Sequence, residues 1–246
     1  MPFPLAHPAA ILPLRRWCPR YLDFSALVVG SLTPDLATFI DDWEYFSHTI
    51  AGSFVFCLPV GLLTFWVFHR VRRPLVSTFP NPHRATLLPL CASHPNSFFP
   101  VILSLVVGSW LHIVWDLFTH DHSWLRFQIP FLFLRVAGLP LNQLIWLLSS
   151  LSGSVVLVAT YLSLLQKRGV SWWHVPATER RAYARWFCIF ILPLAGSIPL
   201  ALHDLRHTLA MGSLARYLAM YYLGCAYLTL AVTGFFFKFR MSEENH

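Results

Sequence analysis

The sequence predicts an all-α fold, a polytopic bundle of transmembrane helices, and three observations predict it. Hydrophobic residues fill 56% of the 246 positions and charged residues only 12%, against about 25% charged in a soluble domain. Long apolar runs fall at 50–68, 98–118, 141–165, 186–202 and 217–237, most of them near the roughly 20 residues that a bilayer crossing takes. Basic residues gather in alternate connections, as short cytoplasmic loops require.

Taken in order, the chain begins with an irregular region. Residues 1–14 are apolar but carry Pro2, Pro4, Pro8 and Pro13, and the run 22–40 is interrupted at Thr33-Pro34-Asp35. This pattern predicts an N-terminal hairpin, 1–40, of two short helices. Pro8 is the first residue of one, the chain turns near Pro19-Arg20, and the second rises to a break at Thr33-Pro34. His7 and Asp35 then return to the same end. Arg15, Arg16 and Arg20 follow the apolar stretch instead of preceding it, which argues against a cleaved secretory signal.

The five runs then cross as spans, and residues 69–98, rich in Pro and Asn, form a cytoplasmic loop with a short helix near Ala85. With this topology all Lys and Arg except Arg126, Arg135, Arg206 and Arg216 lie inside. The net charge of +7 is then mostly loop anchoring, and it does not call for nucleic acid. A single integral membrane domain, 1–246, is expected. Cys18, Cys57, Cys91, Cys188 and Cys225 are scattered without zinc-thiolate spacing, so nitrogen and oxygen would hold any metal.

The outward end collects seven of the eleven acidic residues. His112 and Asp116 stand at i and i+4 inside an apolar run, about 6 Å apart along the axis. An ionisable residue in a span costs at least a few kcal/mol unless it is paired or ligated, so half of a metal site is the leading reading. Packing of a histidine on its own aspartate is the alternative. His120 continues the stripe about 12 Å from His112, which suits substrate contact, a second metal or an outer contact. Asp35 follows Thr33-Pro34, which reads as an N-cap and first helical residue. His48 opens the first long span, and His7 precedes Pro8. Asp41, Asp42 and Glu44 are candidates for a general base. His203 and His207, with Asp204, are accessory candidates, whereas His69, His83, His94, His174 and His246 fall on the inner side.

Met1-Pro2-Phe3-Pro4-Leu5-Ala6-His7-Pro8-Ala9, Gly30-Ser31-Leu32-Thr33-Pro34-Asp35, Ser47-His48-Thr49 and His112-Ile113-Val114-Trp115-Asp116-Leu117-Phe118-Thr119-His120 together resemble an uncharacterised bacterial membrane family of unknown-function domains. That family is similar to membrane-bound metal-dependent hydrolases, themselves similar to zinc-dependent phospholipase C. The resemblance implies His7, Asp35, His48, His112 and Asp116 as a polar centre, with His120 beside it.

The expected function is a divalent-metal hydrolase, with zinc as the ion, acting on an ester or phosphoester of a membrane lipid or lipid-like substrate near the outer surface. Two other classes use the same residues: a transporter or proton-coupled protein with an Asp/His relay, and a non-catalytic structural membrane protein. A phosphatase of the vanadium-haloperoxidase type would need an arginine shortly before His112, and residues 103–111 contain none. Around Ser152-Gly153 there is no strand-turn-helix context for a nucleophile elbow.

Overall fold

The computed structural model describes residues 4–18, 20–40, 43–92, 97–120, 123–136, 138–167, 179–205 and 211–243. Its elements are helical almost throughout. Short helices come first: α1 (Pro8–Ile11), α2 (Phe24–Gly30), α3 (Thr33–Leu36), α4 (Trp43–Ser47) and α5 (Ile50–Gly52). A wide π-helical turn, Ser53–Cys57, joins α5 to α6 (Leu58–Ser77), and α7 (His83–Leu87) and α8 (Phe98–Thr119) follow. After α9 (Ser123–Gln128), two-residue strands β1 (Arg135–Val136) and β2 (Leu139–Pro140) pair antiparallel, with Arg135 opposite Pro140. The chain ends in α10 (Leu141–Lys167), α11 (Arg180–Leu205) and α12 (Met211–Glu243).

The fold is therefore an all-α bundle, as the apolar runs predict. Five stretches are long and apolar enough to cross a membrane: Ile50–Ser77, Phe98–Thr119, Leu141–Lys167, Arg180–His203 and Tyr221–Phe239. Helix α6 outlasts its apolar run, continuing through Arg70, Arg72, Arg73 and Pro74 to Ser77. Arginine ends a hydropathy run but is a good helix former, so the backbone ladder continues past the apolar boundary.

The chain divides into two compact units, Met1–Phe65 with His94–Ser163, and Trp66–Ser93 with Leu164–His246. In the first, α2 lies against α8 with their backbones in close approach. A Cβ on Gly30 would fall on the Leu105 carbonyl oxygen, and one on Gly108 on the carbonyl oxygen of Leu27. Lipid tails are as apolar as leucine, so helices in a bilayer associate through such close packing instead of through expelled water. Ala26, Val29, Phe65, Val101 and Leu105 fill the seam, and Ile11, Leu22 and Leu27 bring α1 onto it.

Polar side chains close the helix ends inside this apolar setting, where a bare backbone group is costly. Asp23 caps α2, its Oδ1 accepting from Ala26 N at 2.9 Å, while its own N–H donates to Ser104 Oγ at 2.8 Å. Thr33 is the first helical residue of α3 and Leu32 its cap. This differs from the expected cap at Thr33, because the Thr33 hydroxyl turns back to the Gly30 carbonyl at 2.8 Å and meets Ser109 Oγ at 3.1 Å. His7 does occupy the cap position of α1, but its side chain makes no capping bond.

In the second unit α11 and α12 form a helical hairpin in which Tyr222 donates to the Phe190 carbonyl at 3.0 Å. The segment after α6 is pinned to the start of α11. Trp186 Nε1 donates to the Thr78 carbonyl at 3.0 Å and the Tyr183 hydroxyl to that of Asn81 at 2.9 Å. Phe79 packs edge-on against Trp186 at 4.2 Å.

Candidate metal centre

Helix α8 supplies the first two groups. His112 and Asp116, one turn apart on the buried face, are 1% and 4% exposed. The His112 Nδ1–H donates to the Ser31 carbonyl at 2.8 Å. Ser31 ends α2, so its position is set by the Gly30–Gly108 crossing. A neutral imidazole that donates through Nδ1 has a bare lone pair on Nε2, and that nitrogen faces the centre.

His48 is oriented in the same way from another element. Its Nδ1–H donates to the Glu44 carbonyl at 2.7 Å, with Ser47 Oγ at 3.1 Å. Ser47 itself reaches the Pro34 carbonyl at 3.0 Å, which ties α4 to α3. Asp35, on the first turn of α3 and 9% exposed, projects into the same space.

These four groups converge. His48 Nε2 and His112 Nε2 are 3.3 Å apart. Asp116 Oδ2 is 3.4 Å from each of them, and Asp35 Oδ1 is 3.5 Å from His112 Nε2 and 3.9 Å from His48 Nε2. One ligand atom from each residue lies within 4.8 Å of all the others. A tetrahedron with zinc–nitrogen and zinc–oxygen bonds of about 2.0–2.1 Å has edges of about 3.3–3.4 Å. The cluster can hold a metal ion. Both histidines already donate their second nitrogen to a carbonyl, the outer arrangement typical of ligating histidines.

His7 stands beside this set. It is 2% exposed, stacks on the His112 ring at 3.8 Å and 20°, and meets the edge of Trp115 at 6.0 Å. Its Nε2 is 3.6 Å from Asp116 Oδ1. Both ring nitrogens of His7, both oxygens of Asp35 and Oδ1 of Asp116 are buried without a hydrogen-bond partner. Such groups are costly in an apolar interior. Their concentration here points to a ligand.

His120 ends α8, with its backbone extended and its N–H on the Asp116 carbonyl. Its Nδ1 is 3.0 Å from that carbonyl oxygen and 3.8 Å from Asp116 Oδ2. Asp116 and His120 stand at i and i+4, the spacing that lets side chains meet on one helix face, so His120 touches a residue of the centre. Glu44 takes part through its carbonyl, and its carboxylate is outside the converging set. Asp41, Asp42 and His207 and the side chain of Asp204 lie outside the described residues, and His203 is exposed on α11.

The sequence reading missed the contributions of Ser31, Ser47 and Ser109. One signal was present: Gly30-Ser31 and Gly108-Ser109 repeat the same dipeptide on the two helices that cross there.

A model of the DUF4184 family, a domain of unknown function, matches residues 1–238, and the chain belongs to that family. No curated protein and no solved structure matches it.

Proposed function

We propose that this DUF4184 member is a membrane-embedded metal-dependent hydrolase. His48, His112, Asp35 and Asp116 are the ligands of one divalent ion, and His7 is a fifth donor beside Asp116. The observation that carries the reading is the pair of bare imidazole nitrogens 3.3 Å apart between two buried carboxylates. Two buried negative charges need compensation. Two doubly protonated imidazoles would supply it only with their Nε2 atoms, both carrying protons, 3.3 Å apart. One divalent cation supplies it and engages all four atoms. Zinc suits the nitrogen and oxygen donors and the observed spacing.

The ion's chemistry would be to bring the pKa of water towards about 7 and to offset charge on a phosphoryl or carbonyl oxygen. In the hydrolysis, the water oxygen bonds to the phosphorus or acyl carbon and the ester oxygen departs. The water proton passes to a carboxylate among Asp41, Asp42 and Glu44, and then to the leaving alkoxide. His120, held on the Asp116 carbonyl, is the candidate to carry that proton.

Charge supports an outward-facing centre in a bacterial inner membrane. Arg15, Arg16 and Arg20 lie between α1 and α2, and Arg70, Arg72 and Arg73 follow the apolar part of the first long span. With those basic groups in the cytoplasm, residues 69–98 are an inner connection and the end of α8 faces out.

The test is metal analysis of the detergent-purified chain beside His112→Ala and Asp116→Ala, followed by hydrolysis of a fluorogenic ester and a fluorogenic phosphodiester lipid with and without chelator. Bound zinc near one per chain, absent from both variants, is the expected result. Equal metal in all three proteins would end the proposal.

A further inference from the structure

Beside the polar centre, α8 and α10 line an open apolar groove of about 440 Å³, with Leu111, Val114, Trp115 and Phe118 on one side and Ile145 and Ser149 on the other. A second hollow, of about 590 Å³, shares Ile145 and Ser149 and continues past Leu148 and Ser152 to Val155. From Ile145 to Val155 the groove follows α10 for about 15 Å. Both walls belong to stretches apolar enough to span a bilayer, so the groove opens towards hydrocarbon.

Two of its lining residues touch the centre. Trp115 meets the His7 ring edge-on and donates its indole N–H to Ser149 Oγ at 3.2 Å. Thr119, also in the lining, shares hydrogen bonds with the Asp116 carbonyl and His120 Nδ1. One turn before Ile145, on the same face of α10, Asn142 is 4% exposed and its Oδ1 has no hydrogen-bond partner. One end of the groove therefore lies one side chain away from the carboxylates and histidines, and its apolar tail runs along a membrane span. Ligand sites of this kind are mainly apolar, of about 300–1,000 Å³, with a few polar groups that fix orientation.

We infer that the substrate of the centre is a lipid whose acyl or isoprenoid chain lies in the α8–α10 groove, which holds the headgroup linkage at Asp116 and His7. This deepens the hydrolase reading and rests on it for the word substrate. Binding of the chain can be tested apart from hydrolysis.

The full chain is placed in nanodiscs of phosphatidylethanolamine and phosphatidylglycerol doped with a phosphatidylglycerol that carries a diazirine near the end of one acyl chain. After irradiation, labelled residues are mapped by mass spectrometry. Label should concentrate on Ile145, Leu148 and Val155 over Leu147 and Val158, which are also exposed on α10. Val114→Trp and Ile145→Trp, which fill the groove, should each cut that labelling about tenfold (~1.4 kcal/mol). Val114 is already half exposed, so its replacement leaves the fold intact. His112→Ala should retain groove labelling. Groove labelling without any hydrolysis would remove the enzyme reading and leave the lipid site. Even labelling around α10, unchanged by either tryptophan, would mean ordinary boundary lipid and would overturn the inference. So would a Leu148→Cys chain that cross-links to a second copy in place of taking label.

Discussion

The two units of the chain treat buried polarity differently. In the second, the described polar side chains mostly bond to backbone carbonyls: Trp186 to Thr78, Tyr183 to Asn81, Tyr222 to Phe190, and the buried Ser197 to Leu194. The Thr86 hydroxyl is buried there without a hydrogen-bond partner, but it belongs to no converging set of carboxylates and imidazoles among the described residues. In the first unit Asp23, Thr33 and Ser109 do similar work, yet Asp35, Asp116 and His7 are buried with atoms that have no hydrogen-bond partner. The lesson is that buried polarity by itself does not mark a site. What marks it is several unsatisfied groups aimed at one point.

The strongest way to break that comparison is to change one group at the point of convergence and one outside it. Asp116→Asn should weaken zinc binding by more than about 100-fold, beyond the 10- to 100-fold that outer contacts of a metal site usually contribute. His203→Ala, on α11, should leave it unchanged. Competition with a chromophoric chelator reads both. Similar losses from the two variants would mean that histidine and carboxylate content, and not convergence, governs metal uptake.

Glycine gives the next contrast. An added Cβ at Gly108 would meet the Leu27 carbonyl oxygen and, at 2.8 Å, the Ser31 nitrogen, both backbone atoms that cannot rotate away. At Gly196 it would meet only the Cys225 Sγ at 3.2 Å. Gly108→Ala should therefore cost on the order of 2–4 kcal/mol through a forced shift of α2 against α8, and should move the Ser31 carbonyl that orients His112. Gly196→Ala should stay within about 1 kcal/mol, because better helix propensity offsets a small side-chain adjustment. Unfolding in mixed detergent and SDS measures both.

The same contrast separates what the sequence could reveal from what it could not. His112 and Asp116 are legible because the helical period alone puts them on one face, and the five spans are legible because hydropathy is a sum over neighbours. Asp23 and Asp35 are harder to tell apart, since each stands at the start of a short helix. Only the fold assigns the Asp23 carboxylate to the Ala26 N–H and leaves Asp35 without such a bond. The orientation of the two central histidines was also hidden. Their Nδ1 partners are carbonyls of Ser31 and Glu44, and any residue type offers a carbonyl. The far end of α6 was missed for a simpler reason, because arginines stop an apolar run without stopping a helix.

Ser47 sharpens the comparison on a smaller scale. Its hydroxyl reaches the Pro34 and Glu44 carbonyls and lies 3.1 Å from His48 Nδ1. Ser47→Ala should loosen His48 while leaving its bond to Glu44, and zinc affinity should fall about tenfold. Ser197→Ala removes a hydroxyl that is just as buried but bonds only within its own helix, so it should not change zinc affinity. An unchanged affinity in Ser47→Ala would show that the Glu44 carbonyl alone fixes the ring.

The smallest effect belongs to Glu179. It accepts from Asn81 Nδ2 at 3.1 Å and pairs with Arg84 at 3.4 Å, where the arginine side chain is 39% exposed. Pairs open to solvent contribute about 0–1 kcal/mol, and glutamine keeps an acceptor at the same place. Glu179→Gln should therefore cost less than about 1 kcal/mol in the SDS titration, with the loss shrinking as salt rises, and zinc content should stay at the wild-type value. If this variant lost its metal, a pair that serves only to fasten the second unit would be needed by the centre. Unsatisfied convergence in the first unit would then no longer be a sufficient account of the site.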